Sequence, residues 1–468
     1  MPDSFDFDLC VIGAGSAGYS AAVTARNLGK TVGLIDGPGP QAGLCILRGC
    51  MPSKTLLRSA EVADAVRRAP QAGVMAGEPA IDFGRVMERK RRIIKGFADY
   101  RIEGIERFPL LRGAARFVDR DTAVAGDRRI RASRFIVATG SVITVPTLPG
   151  LEDAGYVTSD DVLEFDSLPE SVVVLGGGPT ACELAQYLAR LRVDTTLLQR
   201  SDTLLSGEDP DVGVALRSAL EREGIKVVTG VKLIKAEKTA TGKIVRFEHG
   251  GHSHTVEARE IFAAHGRSAS VDGLDLEAAG IEHDHKGIKV DAYLRTTNPN
   301  AYAAGDVRYE STQLVHVAVY EGQLAAANAF GASPVAADYR LQASRAIFTE
   351  PQVAVAGLTE RECTALGRYC AVARYPFDDL GKAIATDKTE GFIKVLADSD
   401  GTMLGVTIVG AEASDLIHEA IALLHFKANV RDVMAMPHLH PTLAEIITYP
   451  AEELLERLEN EKRALVTP

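Results

Sequence analysis

Apolar residues in this chain form short runs, and glycine-rich turns link several of these runs to segments of helical composition. Residues 8–36 read DLCVIGAGSAGYSAAVTARNLGKTVGLID, with apolar runs at 9–12 and 31–35. Between them, residues 19–28 have the composition of a helix. Short apolar runs bounded by turn residues predict buried strands. This segment is therefore predicted to fold as strand, glycine turn, helix and strand.

The same pattern returns at residues 171–200, which read SVVVLGGGPTACELAQYLARLRVDTTLLQR. The predicted strands here are 172–175 and 195–198. Two further runs, FIVATG at 135–140 and AYAAGDV at 301–307, are each predicted as a strand that ends at a glycine. The later stretch FTEPQVAVAGLTE alternates apolar and polar residues, which predicts an antiparallel sheet with helices.

Glycine spacing in the first unit predicts a dinucleotide site. Gly13, Gly15 and Gly18 form G-x-G-x-x-G, which lets the backbone approach a pyrophosphate at the N-terminus of the helix. Asp36 follows Gly18 by 18 positions and can hold a pair of ribose hydroxyls. The alternative is a glycine turn without a ligand, and the two strands and the acid disfavour it.

The second unit differs from the first at the end of its second strand. Gly176, Gly178 and Ala181 form G-x-G-x-x-A, and the strand ends in Gln199 and Arg200 instead of an acid. A carboxylate there would repel a 2′-phosphate, whereas an arginine can pair with it, so NADP(H) is favoured over NAD(H). An Arg200 that is only a solvated charge is an equally open alternative. Two such units predict a flavin beside a nicotinamide.

Composition limits the class of protein. The chain has 468 residues, enough for about three domains of about 150 residues each. Its formal net charge of -11 disfavours nucleic acid or an anionic membrane as the main partner. Apolar runs are shorter than a membrane span, and the N-terminal MPDSFDFD lacks the basic region of a signal peptide. We therefore expect a cytoplasmic protein, in which a cysteine pair is catalytic or metal-binding.

Two cysteines stand five positions apart in GLCILRGCMPSK, at Cys45 and Cys50. A zinc site requires a second such pair or clustered histidines, and the remaining cysteines are Cys10, Cys182, Cys363 and Cys370. The first two lie in predicted core elements, and the last two are too widely and irregularly spaced, so no metal site is predicted. A probable helix opens directly after Cys50, and a helix N-terminus lowers the pKa of a thiol. The pair is therefore predicted to be redox-active.

Thiol exchange also needs a proton carrier, and PHLHPTLAEII at 437–447 offers one. His440 is followed by Glu445, a carboxylate that can orient and polarise the imidazole. A surface turn is the alternative for any H-x-H triplet. We assign the other two triplets, His252/His254 and His283/His285, to polar, turn-rich surface segments.

Together these motifs resemble the FAD-dependent pyridine nucleotide–disulfide oxidoreductases, the family of dihydrolipoamide dehydrogenase, glutathione reductase and mercuric reductase. The resemblance runs through nearly the whole chain in order: GAGSAG, CILRGCMPSK, ATG, GGGPTACE, AAHGR, AAGDV and HLHPTLAE. It implies an α/β fold of two Rossmann-like dinucleotide-binding domains plus a C-terminal α+β dimerisation domain. The implied limits are 1–150 for FAD, 151–271 for NAD(P), 272–340 for a central segment completing the FAD domain, and 341–468 for the interface domain.

The resemblance also implies residue roles. Cys50 would face the flavin and form a charge-transfer complex when reduced, and Cys45 would exchange with the substrate. Lys54 would lie by the flavin and pair with Glu183. His440 and Glu445 would act on the partner subunit's disulfide, which makes the homodimer obligatory. The residues implied in cofactor binding are Gly13, Gly15, Gly18, Asp36, Gly43, Thr139, Gly140, Asp306, Gly176, Gly178, Ala181, Gln199, Arg200, Gly266 and Arg267.

The substrate is predicted only as a dithiol or disulfide. An enzyme like dihydrolipoamide dehydrogenase is favoured, and an NADPH-dependent reductase like glutathione or mercuric reductase is the alternative. A non-catalytic flavoprotein sensor is disfavoured by the intact chemistry. The sequence departs from the family pattern at Ala42, at Arg48 inside the cysteine loop, at Pro179 and at His265. The basic stretch 85–95 is predicted to be a solvated helix face, and YPAEELLERLENEKR a charged helix.

Overall fold

The computed structural model describes residues 5–466, and describes side chains as far as residue 460. Of the N-terminal MPDSFDFD, the first four residues lie outside this range. The strands, in chain order, are β1 (Phe7–Ile12), β2 (Val32–Asp36), β3 (Leu110–Arg112), β4 (Ala115–Asp119), β5 (Thr122–Ala125), β6 (Arg128–Val137), β7 (Ser141–Ile143), β8 (Ser171–Leu175), β9 (Asp194–Gln199), β10 (Lys226–Thr229), β11 (Lys232–Lys238), β12 (Lys243–His249), β13 (His252–Ala258), β14 (Glu260–Ala263), β15 (Arg267–Ala269), β16 (His283–Asp284), β17 (Gly287–Ile288), β18 (Ala301–Ala303), β19 (Arg345–Ile347), β20 (Gln352–Gly357), β21 (Ala371–Pro376), β22 (Phe392–Ala397) and β23 (Met403–Gly410).

The α-helices within the same residues, in chain order, are α1 (Ser16–Asn27), α2 (Leu44–Arg48), α3 (Cys50–Arg68), α4 (Phe83–Ile105), α5 (Leu151–Ala154), α6 (Ser159–Val162), α7 (Pro179–Arg190), α8 (Pro210–Arg222), α9 (Val315–Phe330), α10 (Glu360–Ala365), α11 (Gly381–Ala385), α12 (Ala413–His425), α13 (Val430–Ala435) and α14 (Thr448–Val466). Between residues 5 and 466, no helix is both long enough and apolar enough to cross a bilayer.

The first sheet has the order β3-β2-β1-β6-β5-β4. In addition, β18 pairs with β6 on the side opposite to β1. Strands β1, β2 and β3 and the second half of β6 run parallel, whereas β4 and β5 form antiparallel pairs with each other and with the first half of β6. Helices α1 and α9 pack closely against each other, and an added Cβ at Gly322 would overlap the carbonyl oxygen of Ala17. A glycine at this position therefore lets the two helices approach.

The second sheet, β10-β9-β8-β14, is parallel throughout. Its strands lie between β6 and β18 in the chain, so this sheet is an insertion into the first one. The central segment 272–340, which was expected to complete the FAD domain, contains β18, and this strand pairs with β6. The stated domain limits stay predictions.

The third large sheet is antiparallel, with the order β19-β20-β23-β22-β21. Its apolar core is closed by residues of α12, α13 and α14, among them Ile417, Val433 and Leu454. The predicted α/β fold with a C-terminal α+β domain is confirmed, as is the charged helix at the C-terminus, which is α14.

Helix α4 carries the basic stretch, and one of its residues corrects the sequence prediction. Lys90 is almost completely buried, and its Nζ atom lies 2.5 Å from Oε1 of Glu164 and 2.8 Å from the carbonyl oxygen of Leu163. Arg85, Arg91 and Lys95 are more than half exposed, as expected of a solvated face. Lys90 differs because it faces inward, where these acceptors replace the water that its ammonium group loses.

Candidate active site

The two cysteines of GLCILRGCMPSK lie on two consecutive short elements. Cys45 is the second residue of α2, and Cys50 is the first residue of α3, with Gly49 between the two helices. Both side chains are half-buried, both thiols are free, and they are hydrogen-bonded to each other. The two thiols therefore lie next to each other at the junction of α2 and α3.

The surroundings separate the proton affinities of these thiols. The hydrogen bond from Cys45 and the charge of Lys54 lower the pKa of Cys50 to about 7, although burial opposes them. The same hydrogen bond and burial raise the pKa of Cys45 well above its usual range. Cys50 therefore holds the thiolate and Cys45 the proton when the pair is reduced.

Lys54 is fixed by contacts with two other elements. Its Nζ atom lies 2.6 Å from Oε2 of Glu183, which is buried on α7. The other oxygen of Glu183 accepts a hydrogen bond from the backbone N–H of Phe348 at 2.9 Å, and Nζ of Lys54 lies 4.4 Å from the centre of the Phe348 ring. The predicted contact between Lys54 and Glu183 is present, and it holds a cation near the Cys50 thiol.

The first glycine loop lies directly beside the cysteines. Gly13 has φ +99°, and an added Cβ there would overlap the carbonyl oxygen of Ala138. An added Cβ at Gly43 would lie 2.9 Å from the Cα atom of Gly15, while the Cβ position of Gly15 itself has no neighbour within 4 Å. The loop that begins the redox motif thus packs on the glycine turn, and the turn keeps open space in front of it. This space and the N-terminus of α1 fit the pyrophosphate of FAD.

Asp36 lies at the end of β2, as predicted. Its Oδ1 atom accepts a hydrogen bond from the backbone N–H of Ala14, and its Oδ2 atom lies 3.0 Å from Nη1 of Arg112. The carboxylate can accept further hydrogen bonds, so these contacts leave it able to hold a ribose. Arg112 is not among the residues predicted from the sequence, although an arginine that ends an apolar strand was a usable signal.

Asp306 and Arg267 lie in one polar cluster around Ser141. The hydroxyl of Ser141 donates to Oδ2 of Asp306 at 2.7 Å and accepts from Nε of Arg267 at 3.0 Å. Arg267 also lies 3.7 Å from Asp160, which in turn lies 3.4 Å from Arg48. The unusual Arg48 of the cysteine loop is thus exposed but paired with α6. Thr139 donates to the carbonyl oxygen of Ser270, and Gly140 has φ +75° with open space at its Cβ position.

The second glycine turn follows β8. Gly176 has φ +126°, and an added Cβ would overlap the carbonyl oxygen of Ala264 at the end of β14. The Cβ positions of Gly178 and Gly266 have no neighbour within 4 Å, so the space in front of both is open. Ala181 is fully buried in α7. This end of the parallel sheet can therefore receive a second dinucleotide.

Gln199 and Arg200 stand where β9 ends. Arg200 is exposed, and among the side chains described up to residue 460 it makes no ion pair. Burial is the main cause that lowers the pKa of His265, and the charge of Arg200 lowers it further. The Nδ1 atom of His265 is buried without a hydrogen-bond partner in the described chain. Within the described residues neither side chain forms a hydrogen bond or an ion pair, which leaves both available to a ligand.

His440 and Glu445 form the predicted pair. Nδ1 of His440 lies 3.0 Å from Oε2 of Glu445, and Oε1 of Glu445 accepts from the backbone N–H of Thr442. The His440 side chain is 75% exposed, whereas Glu445 is buried. No hydrogen bond of the described chain joins His440 to Cys45 or Cys50, so the chain by itself does not bring these two groups together.

The first of the remaining H-x-H triplets lies in a strand instead of a turn, whereas His285 of the second lies in the turn after β16, as expected. His252 and His254 lie in β13, whose side chains are mostly exposed, and His283 begins β16 and lies 2.9 Å from Glu277. A short ribbon with polar side chains on both faces has no apolar alternation, so its sequence looked like a turn. Within the described residues, no group of histidine, cysteine and acidic side chains could hold a metal ion.

Comparison with known proteins gives matches along nearly the whole chain. Residues 7–322 match a family model described as pyridine nucleotide-disulphide oxidoreductase, and residues 343–451 match its dimerisation domain. A dihydrolipoyl dehydrogenase from Haloferax volcanii is 35% identical over 466 residues, which cover 96% of each chain. A mercuric reductase from Bacillus cereus is 33% identical over 447 residues, or 94% of this chain and 70% of the relative.

A solved structure has the same fold. The HOCl-induced flavoprotein disulfide reductase RclA from Escherichia coli superposes with a TM-score of 0.85, covering 95% of this chain and 99% of that one at 23% identity.

Proposed function

The chain belongs to the pyridine nucleotide-disulphide oxidoreductase family, and from this membership we propose that it passes electrons between NAD(P)H and a dithiol or disulfide substrate through FAD and the Cys45–Cys50 pair. It is a flavoprotein disulfide oxidoreductase, and its family uses FAD and a pyridine nucleotide. The roles of individual residues and the identity of the substrate are our proposal. The cytoplasmic location stays a prediction.

One observation supports this proposal most directly. Cys45 and Cys50 are hydrogen-bonded to each other, Lys54 stands beside Cys50, and the start of their loop packs on the first glycine turn through Gly43. A structural crosslink has no need of a thiol whose pKa is lowered to about 7, and a metal site would need further ligands, which the described residues do not group around this pair. A redox pair needs the lowered pKa and the neighbouring dinucleotide loop, because the reacting thiolate must form near neutral pH and lie close to its electron partner.

The exchange step assigns different tasks to the two sulfurs. A substrate thiolate attacks Sγ of Cys45 in the Cys45–Cys50 bond, and the electron pair of the broken S–S bond leaves on Cys50. The second substrate thiol then attacks the first substrate sulfur, and Cys45 leaves as a thiol. The substrate loses two electrons and two protons. The pair gains both electrons and, on Cys45, one proton, while the other proton goes to the partner subunit's His440, so Cys50 remains a thiolate. The partner subunit's His440 accepts and returns the proton at Nε2, with Glu445 holding its Nδ1 side.

When bound, FAD supplies two-electron transfer between the nicotinamide and the thiols. The chain's own contribution is to hold Cys50 as a thiolate through the hydrogen bond from Cys45 and the charge of Lys54. Glu183 and Phe348 keep that ammonium group in place.

We favour a dihydrolipoamide-type dithiol as the substrate. Dihydrolipoyl dehydrogenases match this chain over nearly their full length, while the mercuric reductases extend further than the match. The second candidate is an NADPH-dependent reductase of the glutathione or mercuric type. The exposed Arg200 at the end of β9 favours it, because this position offers a cation and no carboxylate to a 2′-phosphate.

Turnover with a panel of substrates tests the proposal. In one direction, the oxidation of NADH or NADPH is measured with lipoamide, oxidised glutathione or Hg²⁺ as the acceptor. In the other direction, the reduction of NAD⁺ or NADP⁺ is measured with dihydrolipoamide as the donor. We expect the highest kcat/KM with the lipoamide couple, and loss of turnover in Cys45→Ser and Cys50→Ser but not in Cys182→Ser, whose thiol is buried elsewhere. Absence of turnover with every dithiol and disulfide would refute the proposal, and a preference for Hg²⁺ or glutathione would select the second candidate.

A further inference from the structure

Two other cysteines lie together in the fold, although their spacing in the sequence gave no reason to connect them. Cys363 is fully buried on α10, and Cys370 is half-buried one residue before β21. Both pack in one small apolar cluster with Leu396 and Leu404, and the two thiols are hydrogen-bonded to each other.

The backbone between them explains this approach. Helix α10 ends at Ala365, and Gly367 has φ +61° with open space at its Cβ position. The backbone N–H of Arg368 donates to the carbonyl oxygen of Cys363 at 2.9 Å, which closes the turn after the helix. A left-handed glycine with this bond is a common helix ending that reverses the chain. Cys370 is thereby returned to the side of the helix that carries Cys363.

We propose that Cys363 and Cys370 form a second, reversible disulfide, separate from Cys45–Cys50, and that low-molecular-weight disulfides form it by thiol exchange. This redox modification site lies within the stretch that matches the dimerisation domain, and it takes no part in the proposed function.

Exposure assigns the order of the steps. The half-buried Cys370 attacks one sulfur of the small disulfide R–S–S–R as a thiolate, and RS⁻ leaves with the electron pair of the broken bond. Cys363 then attacks the Cys370 sulfur of this mixed disulfide, and a second RS⁻ leaves. The two RS⁻ groups take up the protons that the cysteines released, so the balance is one R–S–S–R for two RSH and one protein disulfide. Arg368 supports the second step, because its charge favours the Cys363 thiolate.

Outside the Cys45–Cys50 pair, the surroundings favour this reaction only at Cys363 and Cys370. Burial raises the pKa of Cys363 to about 12, so Cys363 does not react first. Cys10 and Cys182 are fully buried in two other apolar clusters of the described residues, neither of which includes a second cysteine. An intramolecular bond at Cys363 and Cys370 is therefore preferred to a lasting mixed disulfide.

Tryptic mapping of the wild-type holoenzyme tests the proposal, since trypsin cleaves between the cysteines of each pair. Cys363 and Cys370 fall in peptides 362–368 and 369–374, and Cys45 and Cys50 fall in peptides 31–48 and 49–54. The enzyme is equilibrated with reduced and oxidised glutathione, quenched in acid, alkylated and digested without reductant. We expect a species in which peptide 362–368 is linked to peptide 369–374, with a mass equal to the sum of the two peptide masses minus about 2 Da. Treatment with dithiothreitol should separate the two peptides again. The link between 31–48 and 49–54 is the internal positive control.

Variants and gels separate the outcomes. Cys370→Ser should lose the 362–368/369–374 link and keep the other link and full disulfide turnover, whereas Cys182→Ala should keep both links. The proposal would be overturned if the control link between 31–48 and 49–54 forms but the other two peptides, 362–368 and 369–374, are recovered separately in alkylated or glutathionylated form. A covalent dimer on a non-reducing gel would also overturn it. Failure of the control link alone would count against the proposed function and not against this site.

Discussion

At the scale of single residues, the neighbours of a thiol decide whether it exists as a thiol or a thiolate. Cys45 and Cys50 are both half-buried, yet their pKa values move in opposite directions because one hydrogen bond stabilises the proton on Cys45 and the charge on Cys50. Lys54 adds a cation on the Cys50 side. The two sulfurs therefore differ in their affinity for a proton although they belong to the same short motif.

This asymmetry predicts a pH dependence. In the reduced enzyme the Cys50 thiolate should be fully formed well above pH 7 and lost as the pH falls below about 7. Cys45→Ala removes the hydrogen bond that lowers the pKa, so the midpoint should move up towards about 8.5, while Cys45→Ser keeps a donor and should move it less. The long-wavelength absorbance of the thiolate–flavin contact and the rate of alkylation by iodoacetamide both report this midpoint. An identical midpoint in all three proteins would contradict the assigned cause.

Arg200 carries a second prediction at this scale. Arg200→Glu should lower kcat/KM for NADPH by at least about tenfold and leave that for NADH unchanged or higher, since repulsion replaces pairing at the 2′-phosphate. Steady-state kinetics with both nucleotides measures the ratio. Arg85→Glu, an exposed arginine on α4, is the matched control and should leave the ratio unchanged. A wild-type enzyme that strongly prefers NADH would show that Arg200 does not face the nucleotide.

The site residues that sequence could indicate are those whose chemistry is readable locally. Cys45 with Cys50, and His440 with Glu445, lie within one motif each, so their spacing already implied contact. The ion pair of Asp36 with Arg112 depends on β2 and β3 being neighbours in the sheet, which spacing along the chain does not reveal. The contact of Cys363 with Cys370 depends on a helix ending. Residues brought together by strand order or by a turn were thus missed.

At the scale of elements, a buried ion cluster connects the second and third sheets. Lys394 on β22 is 1% exposed, and its Nζ atom lies 2.8 Å from Asp209, 3.0 Å from Asp211 and 2.6 Å from Glu360. Burial opposes the charge, yet the hydrogen bonds of these carboxylates raise the pKa of Lys394 above its usual value. The cluster joins the N-terminal ends of α8 and α10 to the third sheet.

Removing the cation should therefore destabilise the fold. Lys394→Met leaves the buried carboxylate of Asp209 with its backbone N–H donors but without a counter-charge, and breaking a buried ion pair in this way typically costs about 3–5 kcal/mol. Lys226→Met removes an exposed lysine that pairs with Asp194, and should cost no more than about 1 kcal/mol. Urea unfolding of the two variants, followed by circular dichroism, compares the midpoints. Equal midpoints would mean that the carboxylates are hydrated instead of buried.

Elements were predictable where burial leaves a pattern in the sequence. The strands β1, β8 and β20 are apolar or alternate because each packs on a core, and each was expected close to its observed place. In β13 five of the seven side chains are exposed, so its polarity indicated a turn. Periodicity therefore reports burial, and a strand that is mostly exposed escapes it.

At the scale of the whole molecule, the proposed active site is divided between two ends of the chain. The cysteines lie near residue 50, and the exposed ring of His440 lies near the C-terminus, with its Nδ1 side held by Glu445. The dimerisation domain supports a homodimer. A two-fold dimer can then present His440 of the partner subunit to each cysteine pair.

Subunit exchange tests this arrangement. Cys50→Ser and His440→Ala should each be nearly inactive as homodimers. After random equal mixing, about half the dimers are mixed, and each has one centre with both defects and one with neither, so about a quarter of wild-type activity should return. Disulfide-dependent NAD(P)H oxidation is measured before and after exchange, with native mass spectrometry as proof of mixing. Mixed dimers without recovered activity would show that His440 serves its own subunit.

The insertion of the second sheet between β6 and β18 also has a consequence for synthesis on the ribosome. β8, β9, β10 and β14 are all translated before β18, so the second sheet can close while the first still lacks a strand. About 160 residues separate β6 from β18, which at about 5–20 residues per second leaves one edge of β6 unpaired for about 10–30 s. An open strand edge attracts other chains. Every nascent copy therefore passes through an aggregation-prone interval that ends only when residues 301–303 leave the exit tunnel.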